Sequence, residues 1–151
     1  QDGRAVRDLR ARAENRGGVG MRADRCFVCG PHNPIGLRLS FTEQDGVLTA
    51  EFRPTDLHVG YEGIVHGGIL AAVLDDVMAN LLYRRGDYAL TARMELRFHA
   101  SVRPGDALRV RGWLEEEGLR LVATRGEILR DGERVCSARA VFVRPREKDR
   151  A

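Results

Sequence analysis

The stretch EGIVHGGILAAVLDD, residues 62–76, carries the strongest structural signal in this chain of 151 residues. Apolar side chains fill every position from Ile69 to Leu74, and three more follow at residues 77–79. A helix that is apolar on nearly all sides is typical of burial inside a domain rather than on its surface. The sequence therefore predicts a buried helix from Gly67 to about Tyr83.

Segments in which polar and apolar residues alternate flank this helix, which is typical of half-buried β-strands. Two such segments precede the helix and four follow it, several of them separated by Glu-Gly or Asp-Gly turn sequences. The simplest packing of this order is α+β, with a single antiparallel sheet of about six strands wrapped around one long buried helix. The predicted strands are 35–41, 47–52, 89–99, 108–115, 119–129 and 135–143.

The strand predicted at 89–99 alternates most regularly. Strict alternation places Thr91 and Arg93 on the face opposite Met94 and Phe98. The edges of the sheet and the face with Thr91 and Arg93 remain available to a partner, so we expect a homodimer, with a dimer of dimers as the alternative.

Composition excludes several classes of protein. The net charge of +3 comes almost wholly from arginines that alternate with acids instead of forming a basic stripe, so we predict no nucleic-acid partner. The longest apolar run, of six residues, is too short to span a membrane. Three cysteines favour a reduced, cytoplasmic protein over a disulfide scaffold. We divide the chain into a flexible or partly helical arm (1–24), one domain (25–145) and a disordered tail (146–151).

The tripeptide His66-Gly67-Gly68 stands where a loop becomes the helix. The first N–H groups of a helix lack intrahelical partners and can stabilise a developing oxyanion. Asp75 lies about 13 Å further along the helix axis than His66, too far for one small substrate group to touch both within one chain. Antiparallel helices across a two-fold dimer would bring them together. For Asp76 we favour a hydrogen bond to a neighbouring loop.

The chain resembles the hotdog-fold acyl-CoA thioesterases, in the group that includes the phenylacetic-acid-pathway and 4-hydroxybenzoyl-CoA thioesterases. The resemblance implies a hotdog fold and hydrolysis of acyl-CoA to a free acid and coenzyme A without a cofactor. It rests on CFVCGPHNPIGLRLSF at 26–41, GIVHGGILAAVLDD at 63–76, TARMELRF at 91–98 and RPGD at 103–106.

The resemblance also implies roles for individual residues. The Gly67 N–H would polarise the thioester carbonyl, and Asp75 would act as the nucleophile or as the general base for water. Thr91 would position the attacking water, and His66 would maintain the hydrogen-bonding geometry. Many relatives carry Asn where this chain has Gly60, which leaves a non-catalytic acyl-CoA or lipid-binding module as the alternative. Substrate binding is expected of Gly68, Ile64, Val65, Met78, Leu82 and Arg93.

The pair Cys26 and Cys29, followed by His32, permits a zinc site with an unidentified fourth ligand. The chain has no second CxxC pair, and its third cysteine, Cys136, lies in a predicted strand. We therefore favour a tight turn of small residues against the sheet and predict no metal.

Overall fold

A long helix lies at the centre of the structure, a computed structural model that describes residues 22–149. This helix, α1, extends from Gly67 to Tyr83 and is capped at its start by His66. Most of its apolar side chains are buried, among them Val73 and Leu74 with no exposed surface. The buried helix predicted from the apolar run is confirmed.

Within residues 22–149, six strands form one antiparallel sheet around α1. Across the sheet their order is β1-β2-β4-β5-β6-β3, so β1 and β3 form the edges. Two strands precede the helix and four follow it, and the predicted α+β architecture is confirmed. In chain order the strands are β1 (Thr42–Gln44), β2 (Val47–Phe52), β3 (Leu90–Phe98), β4 (Leu108–Glu117), β5 (Leu121–Arg130) and β6 (Glu133–Val143).

The segment 35–41 is irregular, so the first predicted strand is wrong. The N–H groups of Leu37 and Leu39 donate to the carbonyls of residues 27 and 28 rather than to a strand of the sheet. Arg38, between them, has a φ of 56°, which interrupts an extended backbone. Leu39 is nevertheless buried. The apolar alternation therefore marked packing against the core and not pairing in the sheet.

Two glycines bring the sheet close to α1. Gly112 on β4 and Gly126 on β5 are direct partners in the antiparallel register. A Cβ atom on Gly112 would lie 3.1 Å from Cγ2 of Val77, and one on Gly126 would lie 3.1 Å from Cδ2 of Leu74. Both distances are below the usual separation of about 3.5–4.0 Å between carbon atoms. The helix therefore packs directly on the backbone of two central strands.

The predicted domain boundaries lie partly outside the described residues. Of the arm assigned to 1–24, only 22–24 are described, and the tail assigned to 146–151 is described up to 149. Within that tail, Glu147–Asp149 form one turn of 3-10 helix. Among residues 22–149, no helix is long and apolar enough to cross a membrane.

Replacing Gly112 with alanine should lower the free energy of unfolding by about 1–3 kcal/mol, the usual cost of overpacking a core. The new Cβ atom would crowd Val77, so Gly112→Ala should cost less in a Val77→Ala background, which lacks the crowding methyl groups. Urea denaturation of wild type, both single variants and the double variant measures this difference. Strictly additive losses of stability would contradict the close contact.

Candidate active site

At the start of α1, one N–H group has no acceptor among residues 22–149. The His66 Nδ1 atom accepts the N–H of Gly68 at 2.8 Å and so caps the helix. Because Nδ1 accepts this bond, the proton of a neutral His66 ring lies on Nε2. The Gly67 N–H has no hydrogen-bond acceptor in the part of the chain that the structure describes. It lies at the positive end of the helix dipole, where negative charge is stabilised.

A cavity of ≈ 930 Å³ adjoins this end of the helix. Its walls come from residues within 59–67, from residues 98–102 and from Leu70. Ile64 and Val65, expected to bind substrate, both line it, as do His66 and Gly67. The cavity can therefore receive a largely apolar group beside the unpaired N–H.

Gly60 leaves room for the capping ring of His66. A Cβ atom at position 60 would lie 3.2 Å from Cδ2 of that ring, closer than an ordinary contact. The asparagine expected here from the resemblance would therefore press on the imidazole. In this chain the ring and Gly60 share one wall of the cavity, which has no amide side chain at that point.

A second polar group of the candidate site lies further along α1. The Thr91 hydroxyl donates a hydrogen bond to Oδ1 of Asp75 at 2.6 Å. Asp75 is half-buried on the helix, and Thr91 is exposed on the edge strand β3. Within residues 22–149, Asp75 forms no ion pair and its Oδ2 atom accepts no hydrogen bond. Thr91 thus orients the carboxylate of Asp75 through Oδ1, and Oδ2 remains available for a reaction.

A β-bulge directs Thr91 towards this carboxylate. Regular alternation placed Thr91 on the face opposite Met94, which packs against the core. The register between β3 and β6 shifts between Thr91 and Arg93, leaving Ala92 as an extra residue. An extra residue reverses the alternation of side chains on one side of the bulge. The predicted face of Thr91 is therefore wrong, and Thr91 contacts α1 instead of solvent alone.

The two parts of the candidate site are far apart within one chain. Asp75 lies eight positions after Gly67 in one continuous helix, about 12 Å further along its axis. The Asp75 end lies beside β3, an edge strand on which Leu90 and Phe98 are 49% and 55% exposed. A single chain therefore presents two half-sites, one at Gly67 and the other at Asp75.

The other residues expected to bind substrate are more scattered. Met78 and Leu82 are fully buried between helix and sheet, so within one chain neither lines the cavity. Gly68 contributes its N–H to the cap on His66, and Arg93 is exposed on β3. Sequence reasoning did not assign several cavity residues to the site. Phe98 lies at the end of β3, and the others lie in loops, whose positions have no periodicity that predicts where they point. These cavity residues are Val59, Tyr61, Phe98, His99, Ala100, Ser101 and Val102.

The neighbouring acid, Asp76, faces another part of the molecule. Its Oδ1 atom accepts the Cys26 thiol at 3.2 Å, and its Oδ2 atom accepts the Asn80 amide at 3.1 Å. The predicted bond from this acid to a neighbouring loop is confirmed. Burial raises the pKa of Asp76 above its ordinary value, against the opposing effect of its hydrogen bonds.

Comparison with protein families gives one match. A model of the thioesterase superfamily matches residues 62–137, half of the chain. No curated protein sequence matches.

Solved structures with the same fold include two that share about a quarter of their residues with this chain. A thioesterase superfamily protein is 26% identical, with a TM-score of 0.74, and the match covers 93% of this chain and 81% of the other. A phenylacetic acid degradation-related protein of the thioesterase type from Ralstonia eutropha JMP134 is 27% identical, with a TM-score of 0.67, covering 89% and 98%. The predicted hotdog fold is confirmed.

A more distant structure contains a ligand. A hypothetical thioesterase from Streptococcus pneumoniae TIGR4, solved with coenzyme A, is 19% identical, with a TM-score of 0.65 and coverage of 70% and 84%. Two further structures of a hypothetical thioesterase from that strain, both 18% identical with a TM-score of 0.65 and coverage of 70% and 88%, carry single substitutions by alanine. One replaces an aspartate and the other a threonine sixteen positions later.

Replacing His66 with alanine should destabilise the protein by about 1 kcal/mol, because the variant lacks the acceptor that caps α1. His66→Asn should retain most of the stability, since an asparagine oxygen can accept the same N–H. Denaturation at one fixed protein concentration measures both effects. Equal losses for the two variants would show that the bond from Gly68 does not stabilise the helix.

Proposed function

Because this chain belongs to the thioesterase superfamily, we propose that it hydrolyses acyl-CoA thioesters to a free acid and coenzyme A. The observation that carries the proposal is the hydrogen bond of 2.6 Å between Thr91 and Asp75, which fixes a carboxylate that has no ion-pair partner within residues 22–149. The aspartate and threonine substituted in the S. pneumoniae thioesterase have the same spacing as Asp75 and Thr91. The coenzyme A bound in the related structure supports the choice of substrate class.

The proposed chemistry divides between the two half-sites. The thioester carbonyl oxygen accepts the Gly67 N–H, which stabilises the negative charge that develops there during attack. Asp75 then acts in one of two ways, as the nucleophile that forms an acyl-enzyme anhydride or as the base that removes a proton from water. Thr91 holds one carboxylate oxygen and leaves the other for this step. Collapse of the tetrahedral intermediate expels the coenzyme A thiolate, which takes up a proton. In the nucleophilic route, water then hydrolyses the anhydride, which releases the free acid and regenerates the Asp75 carboxylate.

The same proposal includes a homodimer, with a dimer of dimers as the larger alternative. About 12 Å of helix separates Gly67 from Asp75 within one chain, whereas one thioester group must contact both. A two-fold axis beside β3 would place Gly67 of one chain opposite Asp75 of the other and form two equivalent sites. The free edge of β3, with its exposed Leu90 and Phe98, supports this position for the axis.

The proposal also includes a location and a second candidate function. Cys26, Cys29 and Cys136 are free thiols, which is consistent with the cytoplasm as the proposed location.

A non-catalytic acyl-CoA or lipid-binding module is the second candidate function. The observation that favours it is Gly60, because the cavity wall has no amide there to orient a carbonyl or a water.

Replacing Asp75 with asparagine should lower kcat for acyl-CoA hydrolysis about 100-fold or more, as expected for loss of a catalytic base or nucleophile. Thr91→Val keeps the shape of the side chain but removes the hydroxyl, and should lower kcat about tenfold, as for a hydrogen bond to a charged group. Release of free coenzyme A from short, medium and aromatic acyl-CoAs measures both. Asp131→Asn, in an exposed turn that asparagine tolerates, is the matched control.

The outcomes separate the two candidate functions. Hydrolysis by wild type and by Asp131→Asn, with loss in Asp75→Asn, supports the enzyme. Binding of acyl-CoA by wild type without release of coenzyme A would support the binding module. Equal hydrolysis by wild type and Asp75→Asn would show that the site is wrongly assigned.

The shared site can be tested by mixing two inactive variants. Gly67→Pro removes the unpaired N–H at the first position of the helix, where proline is tolerated, and His66 already has the extended ψ of 130° that a following proline favours. In a heterodimer of Gly67→Pro with Asp75→Asn, one composite site has both defects and the other has none. Co-expression should therefore restore about one quarter of wild-type activity, since half of the dimers are mixed and each has one intact site. A site within one chain would remain inactive in every combination.

A further inference from the structure

Outside the candidate active site, two thiols and a carboxylate meet between the segment before the sheet and α1. Cys26, Cys29 and Asp76 each place one ligand atom within 4.8 Å of the other two. Sγ of Cys26 and Oδ1 of Asp76 are 3.2 Å apart. A tetrahedral zinc ion holds sulfur and oxygen ligands about 3.5 Å apart and two sulfur ligands about 3.8 Å apart. Small rotations of three side chains would reach that arrangement.

Backbone hydrogen bonds and a close contact at Gly30 define the turn that carries the two cysteines. The Gly30 N–H donates to the carbonyl of Cys26 at 2.8 Å, which closes the turn directly after Cys29. A Cβ atom at position 30 would lie 2.3 Å from the backbone nitrogen of Cys26, so only glycine fits. Backbone bonds from Leu37 and Leu39 hold the middle of the same turn. The backbone of both cysteines is therefore positioned before any ligand binds, and only their side chains need to rotate.

No basic side chain within residues 22–149 forms an ion pair with Asp76. The cluster is half-buried and has no neighbouring cation among the described residues. A divalent cation would displace the protons of the thiols and supply the positive charge that the deprotonated ligands then need.

The buried Asn80 supports the cluster from behind. Its amide nitrogen donates to Oδ2 of Asp76 at 3.1 Å and to its carbonyl at 2.9 Å, and lies 3.8 Å from Sγ of Cys29. Outer hydrogen bonds of this kind orient the ligands of a metal ion. Asn80 is one of only three buried polar residues in the described part of the chain.

We propose that Cys26, Cys29 and Asp76 bind one zinc ion, with a water molecule as the fourth ligand. Thiolate ligands select zinc over magnesium or calcium, and two cysteines are too few for an iron–sulfur cluster of the usual four-cysteine type. His32, considered as a ligand from sequence alone, is not a member of the group, and Asp76 from α1 takes its place. None of the three ligands lines the cavity. The ion would tie the segment at 26–30 to the central helix.

Zinc binding is measured on the full chain after removal of any purification tag, reduction of the thiols and treatment with a chelator. Equilibrium dialysis against Zn²⁺ should give about one ion per chain, as for a single site with three protein ligands. Cys26→Ser, Cys29→Ser and Asp76→Asn should each lose most of this binding. Cys136→Ala, which removes a thiol outside the cluster, should retain it. Zn²⁺ should also raise the melting temperature of wild type but not of Cys29→Ser.

Cobalt provides a measurement that needs no variant. Co²⁺ bound to wild type should show thiolate-to-metal charge-transfer absorption in the near ultraviolet. A cobalt spectrum without that absorption, or wild type that binds no zinc after reduction, would overturn the proposal. Zinc binding that is unchanged in all three ligand variants would overturn it as well. So would a Cys26–Cys29 disulfide in the protein as purified, detected as one free thiol instead of three.

Discussion

The contact between α1 and the backbone of β4 and β5 fixes the positions of all the other features. Gly112 and Gly126 have no side chains, so Val77 and Leu74 lie directly on the two central strands. A helix seated this closely cannot rotate or slide without clashes, because protein interiors are packed at the density of organic crystals. Its N-terminus and its two acidic residues therefore have defined positions relative to the sheet.

The adjacent acids of α1 show the consequence of that fixed orientation. Successive residues of a helix point in directions about 100° apart. Asp75 is therefore directed to the bulged edge strand, where Thr91 donates to it, while Asp76 is directed to the turn that contains Cys26. Each carboxylate at the end of an apolar run has its own hydrogen-bond partner, which offsets the cost of burying it.

The sequence predicted the elements that depend on long periodic patterns and missed those that depend on distant partners. The buried helix and the strands of the second half follow from apolar periodicity that extends over many residues. The segment 35–41 has the same alternation, yet its N–H groups bond to residues 27 and 28, and alternation alone does not reveal such a pairing. The bulge at Ala92 is likewise set by the register with β6.

For the candidate site too, the sequence predicts local features but not contacts between distant residues. His66, Gly67 and Asp75 could be selected because a helix start and its spacing are local properties of the sequence. The orientation of Thr91 and the contact between Cys26 and Asp76, fifty positions apart, depend on the folded chain. The walls of the cavity come from two loops, the start of α1 and the end of β3, which are brought together only by the fold.

In the proposed dimer, one strand would serve both stability and activity. In the described part of the chain, no strand pairs with the outer edge of β3, so its backbone groups and the apolar side chains of Leu90 and Phe98 are exposed. Exposed edges of this kind favour pairing with another chain. Association along β3 would cover these groups, and it would also bring the N-terminus of one helix to the Asp75 of the other. Because the bulge that directs Thr91 to Asp75 belongs to this strand, the orientation of the carboxylate and the association of the chains would depend on the same nine residues, Leu90–Phe98.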